Sequence, residues 1–255
     1  MRILAATIIL LLILVRAAAA AEGNYLYRAQ LVQAAPDKIV ELIDLYKTRA
    51  SLTEAAGDTA PFFMRHSQGD NWDLLLIYPL KSYADYYSAE RTARRTKVEA
   101  SAADLAGRIQ KDIAWQEDIF LYGPALETMQ AAFKDSGFYH VEMLHALPGK
   151  QAELRKEREM ESTYQKFLGR PEIFVFVRDQ GAAWDILSVD FYQDLQQYAG
   201  CSRNGTCVTP SKQKQQAAAH AAGYTDEDQI GPYLRSVIAY HHDTLAVALT
   251  PTVKK

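Results

Sequence analysis

The stretch Gln68-Gly69-Asp70-Asn71-Trp72-Asp73-Leu74-Leu75 returns 112 residues later as Gln180-Gly181-Ala182-Ala183-Trp184-Asp185-Ile186-Leu187. Each copy is a glycine turn that delivers the chain into a Trp-led apolar strand. A hairpin built twice constrains the chain to two similar units. The same shift sets Pro148 against Pro36, Gly169 against Gly57 and Phe174 against Phe62. Between 27–87 and 139–199, 14 of 61 positions are identical without a gap, where ordinary composition gives roughly 6% by chance. The sequence therefore predicts a tandem duplication, and 255 residues leave each unit at about the size where a single core becomes secure.

Within the first unit, Tyr25 to Val32 alternates as a strand, and Ile39, Leu42, Ile43 and Tyr46 follow Pro36 at helical spacing. Phe62 to His66 and Trp72 to Tyr78 flank the Gly turn as strands, the second too apolar to have a solvated face. Helical segments follow from Ser82 and from Ser101 to Asp112, and Trp115 to Tyr122 closes the unit. The order β-α-β-β-α-β is that of a ferredoxin-like unit. The predicted layout is repeat 1 over 22–122, a linker over 123–137, repeat 2 over 138–249 and a tail over 250–255. Repeat 2 holds an insertion over 200–223, and matching Asp243 to Asp118 places its last strand at a shift of 125.

Residues 1–21 have the layout of an export signal: Arg2, an apolar run from Ile3 to Val15, and small residues from Ala17 to Ala21. That run is shorter than the ~20 apolar residues a membrane span requires, so no stable insertion is expected after cleavage. An exported, periplasmic or extracellular protein favours disulfides, and the two cysteines, Cys201 and Cys207, are expected to close a small loop. A net charge of -3, with no strongly basic stripe to offset it, argues against nucleic acid as a partner. The charged segment Lys150 to Glu161 is expected to be a solvated helix surface.

The doubled pattern, with its turns into Trp72-Asp73-Leu74-Leu75 and Trp184-Asp185-Ile186-Leu187, resembles the dimeric α/β-barrel superfamily. That superfamily includes antibiotic-biosynthesis monooxygenase, EthD-like and NIPSNAP-like domains. The resemblance covers 25–249 and implies an α+β fold in which two ferredoxin-like units pack sheet to sheet as an intrachain barrel. It implies no single reaction, because similar folds include cofactor-free oxygenases, isomerases, haem enzymes and proteins without known activity.

In such a barrel Tyr27, Ala29 and Leu31, with Tyr139, Val141 and Met143, are expected to meet the helices. Arg28, Gln30, His140 and Glu142 would then point into the shared interior. Since first and fourth strands are neighbours, His241 and Asp243 should join His140 and Glu142, with His242 on the opposite face. These four are the candidate catalytic residues, as a general base with an orienting carboxylate, and also the candidate metal ligands. Arg28, Gln30 and Asp118 are their counterparts in the first unit and candidate binding residues. His66 and Arg178 occupy equivalent positions at a strand end. The expected function is a small-molecule-binding interior with oxygenase- or isomerase-type chemistry. The alternatives are a non-catalytic structural or interaction protein and a metal- or haem-binding barrel. Cofactor identity is left open, including none, and a homo-oligomer is compatible with these features.

Overall fold

A glycine-pinned barrel carries the chain from β1 (Tyr25–Ala34) through α1 (Ile39–Ala55), β2 (Phe62–Gln68), β3 (Leu74–Lys81) and α2 (Tyr83–Tyr86). It continues through α3 (Ala89–Ser101), α4 (Ala103–Lys111), β4 (Ile113–Gly123) and α5 (Leu126–Lys134). Then come β5 (Phe138–Ala146), α6 (Gln151–Leu168), β6 (Ile173–Gln180), β7 (Ile186–Tyr192), α7 (Leu195–Tyr198), α8 (Lys212–Ala222), α9 (Ile230–Val237) and β8 (Ile238–Ala248). This computed structural model describes residues 24–202 and 205–249. The expected leader at 1–21 and tail at 250–255 lie outside those residues.

Both long helices start a few residues after their proline. Asp37 takes a positive φ of 64° and Gly149, 112 residues on, one of 78°, so the chain turns once before α1 and α6 can begin. Spacing then buries Leu42, Leu45, Tyr46 and Ala50 on α1, as the helical period requires.

The eight strands form one closed antiparallel barrel in the order β1-β3-β2-β8-β5-β7-β6-β4. The two sheets face each other around one interior as expected, and the halves also meet edge to edge, Met64 opposite Ala248 and Leu121 opposite Arg178. The physical reason is that closure pairs every strand edge, which a stack of two open sheets leaves bare.

The two repeated glycines sit at these joints. Gly69 (φ 125°) presses its backbone on Asp243 and Gly181 (φ 85°) presses on Asp118, each so closely that a Cβ would strike the partner carbonyl oxygen. Glycine is required there by both φ and space. The adjoining aspartates also act alike: Asp73 accepts the backbone N–H of Ala34 at 2.8 Å and Asp185 that of Ala146 at 2.9 Å. They therefore pin the end of β1 and β5 and leave the Gln-Gly turn to itself.

The barrel interior is filled. Tyr27, Ala29, Leu31, Trp72, Leu75 and Ile77 of one half pack in a single apolar cluster with Tyr139, Val141, Met143, Trp184, Leu187 and Val189 of the other. The expected facing is thus inverted. Tyr27 and Tyr139 point inward, while Arg28, Gln30, His140 and Glu142 lie on the outer face under the helices. An eight-stranded barrel is narrow enough for side chains to fill, as they do here, and a charge among those apolar groups would have no partner. Beneath the helices, partners are available: Tyr46 of α1 donates to Gln30 at 3.1 Å, and Arg158 of α6 donates to Glu142 at 2.9 Å.

The insertion in the second half supplies a disulfide, Cys201–Cys207, and then α8. Ala218, Ala219 and Ala222 of α8 pack on Tyr164 and Leu168 of α6 together with Tyr224, so α6 is covered on its far side. Among the described residues, no helix is long and apolar enough to cross a membrane.

Candidate functional site

β5 and β8 are paired with Glu142 opposite Asp243, His140 opposite Leu245 and His241 opposite Leu144. Period-two alternation therefore sets His140, Glu142, His241 and Asp243 on one face, as the sequence predicts, but it is the face toward α6. His242 falls on the other face, at the barrel mouth, where its Nδ1 lies 3.1 Å from Asp70.

His140 is held from both sides. Its Nδ1 lies 3.3 Å from Asp190 of β7 and its Nε2 3.1 Å from Asp243. Burial works against charge on the ring, but these hydrogen bonds and the fields of Glu142 and Asp190 outweigh it and push its pKa up to about 10. At neutral pH His140 is therefore an imidazolium donating from both nitrogens, and the expected general-base role does not fit it. Asp243 is held below the usual carboxylate range, foremost by its hydrogen bond from His140. Its second oxygen lies 3.0 Å from His241 Nε2, so one carboxylate bridges two imidazoles.

Glu142 is buried beside His140. Burial pushes its carboxyl up to about 7, against the opposing pull of Arg158 and His140. Arg158 is 1% exposed and also donates to Glu157 at 2.8 Å and to Glu161. Glu157, itself 0% exposed, accepts from the Tyr224 hydroxyl at 3.1 Å. Five carboxylates, Glu142, Glu157, Glu161, Asp190 and Asp243, thus face Arg158 and the His140 imidazolium. Asp190 Oδ1 is buried without a hydrogen-bond partner among the described residues, so the acidic excess is not fully satisfied. Ligand atoms of His140, Glu142 and Asp243 lie within 4.8 Å of one another, a spacing and donor set suited to a cation.

The segment expected to be a solvated helix surface is therefore corrected: Glu157 and Arg158 are fully buried, because α8 and Tyr224 close over them. Arg158, Glu157 and Asp190 belong to the site and were missed in the sequence reading. The signal was present in the 112-residue shift, which sets Leu45 against Glu157, Tyr46 against Arg158 and Tyr78 against Asp190.

The first-half candidates gather at the equivalent place. Gln30 donates to Asp118 at 3.1 Å, and Arg28 lies 3.6 Å from Asp118 and 4.5 Å over the Tyr78 ring. His66 and Arg178 stand apart from both clusters. Arg178 donates to Asp185 at 2.8 Å, a rim contact, and the His66 ring lies 5.7 Å from that of Trp72. A cavity of about 170 Å³ lies at the barrel mouth beside Trp72, Trp184, Tyr240 and His242.

No family model and no curated protein matches the chain. Solved structures do. An "anthrone oxidase-like protein" aligns over 91% of this chain and 94% of its own at TM-score 0.53 and 13% identity. The chain shares that protein's fold. A "putative monooxygenase from Lactobacillus acidophilus NCFM" shares this barrel fold over 89% of this chain and 95% of its own, at TM-score 0.51 and 9% identity. At these identities the likeness concerns the barrel and its helices, and the chemistry of the site has to come from its own residues.

Proposed function

We propose that the chain is a small-molecule protein of oxygenase type whose reactive centre is a cation site under α6, built from His140, Glu142 and Asp243 with His241 beside them. The observation that carries this reading is the convergence of those three ligand atoms within 4.8 Å. The unpartnered Asp190 Oδ1 and the surplus of carboxylates support it, since bound positive charge would relieve both. Imidazole and carboxylate donors suit a first-row transition metal. Such an ion would supply Lewis-acid or oxygen chemistry. Asp243 would anchor it, His140 would ligate after giving up its proton, and Arg158 would hold Glu142 in place. A porphyrin is the poorer fit, because it calls for an apolar slot and His140 is surrounded by Asp190, Asp243, Glu142 and Arg158.

The fold of the two compared structures supports an oxygenase-type assignment by analogy alone. The tandem duplication belongs to the same proposal, supported by the 14 shared positions and by the paired roles of Gly69 and Gly181 and of Asp73 and Asp185. So does export, supported by the layout of 1–21 and the Cys201–Cys207 bridge.

The test is metal analysis of purified chain after exposure to zinc, copper and iron and removal of the excess. About one equivalent retained by wild type and lost in His140→Gln is expected. A wild-type chain that retains none sinks the proposal, and favours the second reading, a purely structural network. One observation speaks for that second reading: both nitrogens of His140 already have carboxylate partners.

A further inference from the structure

We infer that the first half carries a site of the opposite sign, a pocket for a small oxyanion between the outer face of β1 and β3 and the helices α1 and α3. A cavity of about 120 Å³ lies there, with Arg28, Arg49, Arg91 and Arg95 and the acidic residues Asp58 and Glu99 in its lining. Among the residues that line it, arginines outnumber carboxylates four to two, in a chain whose net charge is -3.

The four arginines divide into two kinds. Arg91 is buried and committed, donating to Asp58 at 3.0 Å, to Asp85 and the Leu80 carbonyl at 2.8 Å, and to the Pro79 carbonyl at 3.1 Å. Arg95 donates to the Tyr86 carbonyl at 2.6 Å and lies 3.9 Å over that ring. These two are fixed and contribute field. Arg28 and Arg49 hold unspent donors. Arg28 Nε is buried with no hydrogen-bond acceptor among the described residues, Asp118 Oδ1 being 3.6 Å away. Arg49 makes no side-chain hydrogen bond or ion pair with a described residue. A buried guanidinium N–H without an acceptor is costly, and the planar fork matches a carboxylate or phosphate oxygen pair.

Equivalence with the second half sharpens the argument. The 112-residue shift sets Arg28 against His140, Arg49 against Glu161 and Tyr78 against Asp190. Arg28 faces Tyr78 across β1 and β3 as His140 faces Asp190 across β5 and β7. One location in the fold therefore appears twice, with arginines in the majority in the first half and carboxylates in the majority in the second. The oxyanion pocket rests on its own residues and stands or falls independently of the cation proposal.

Calorimetric titration of the full chain with inorganic phosphate and, separately, with acetate tests it, at an ionic strength fixed with sodium chloride. Saturable binding of at least one of the two at one site is expected; phosphate alone would assign a phosphate-type ligand and acetate alone a carboxylate-type one. Arg49→Gln should weaken that binding about tenfold or more, because a charge-assisted pair is lost. Glu99→Gln, which removes an opposing charge from an exposed helix position, should strengthen it severalfold and reads the site without touching a buried group. No saturable binding of either probe would overturn the inference. So would equal affinities across wild type, Arg49→Gln and Glu99→Gln.

Discussion

His140 Nε2 lies 3.1 Å from Asp243 Oδ1 across the β5–β8 pair, and this contact makes folding stability depend on pH. The folded-state pKa of His140, about 10, is raised above its ordinary value of 6.5. Its contribution is therefore fully present below about pH 6.5 and is lost as pH rises toward 10. Glu142, raised to about 7, acts in the same direction between about pH 4.5 and 7. Thermal melts should show stability falling between pH 6.5 and 9.5 by at least about 1 kcal/mol, or roughly 2–4 °C for a chain of this size. His140→Gln should flatten that slope. An equally steep slope in the variant would show that another group carries it.

Arg158 is the keystone of the charged layer. Arg158→Ala strands Glu142 and Glu157 without their partner, and breaking a buried ion pair in this way costs about 3–5 kcal/mol. The first half offers the repair, since Tyr46 donates to Gln30 where Arg158 donates to Glu142, and Leu45 stands where Glu157 does. The triple variant Glu142→Gln, Glu157→Leu, Arg158→Tyr should therefore recover more than half of the loss in urea unfolding. Failure of the triple variant to exceed Arg158→Ala would mean that the two helix–sheet layers are not interchangeable.

Gly181 tests the joint between the halves. Gly181→Ala faces both a φ of 85° and the Asp118 carbonyl, and the strain should cost on the order of 1–3 kcal/mol. Gly57→Ala, also at positive φ but in open space, should cost less. Denaturant midpoints of the two variants decide the matter, and equal losses would refute close packing at the joint.

The β-α-β-β-α-β element order and the shared face of His140, Glu142, His241 and Asp243 were legible from periodicity and the repeated hairpin, and the β5–β8 neighbourhood from the ferredoxin-like unit they imply. The direction of that face was not. Tyr27, Ala29 and Leu31 look as suited to a helix layer as to a barrel interior, because both are apolar, and alternation reports two faces without saying which one closes. Arg158 and Glu157 read as surface because a charged helix usually is. Their burial depends on α8 and Tyr224, which pack from an insertion some 60 residues later in the chain. Setting Leu45 and Tyr46 of the first half against Glu157 and Arg158 would have exposed the substitution, so the repeat held more information than either copy alone.

The pH dependence of cation affinity tests the central claim most directly. A metal that takes His140 must displace a proton held with a pKa of about 10, so its affinity should rise about tenfold per pH unit throughout the range below that value. An exposed histidine, with an ordinary pKa near 6.5, stops contributing above about pH 7. Titrating Mn²⁺ or Ni²⁺ into the purified chain from pH 7.5 to 8.5, above the range in which Glu142 gives up its own proton, should give a logarithmic slope near one that persists to the upper limit and disappears in His140→Gln. A slope near zero over this range, or one that His140→Gln leaves unchanged, would contradict a cation site centred on His140, Glu142 and Asp243.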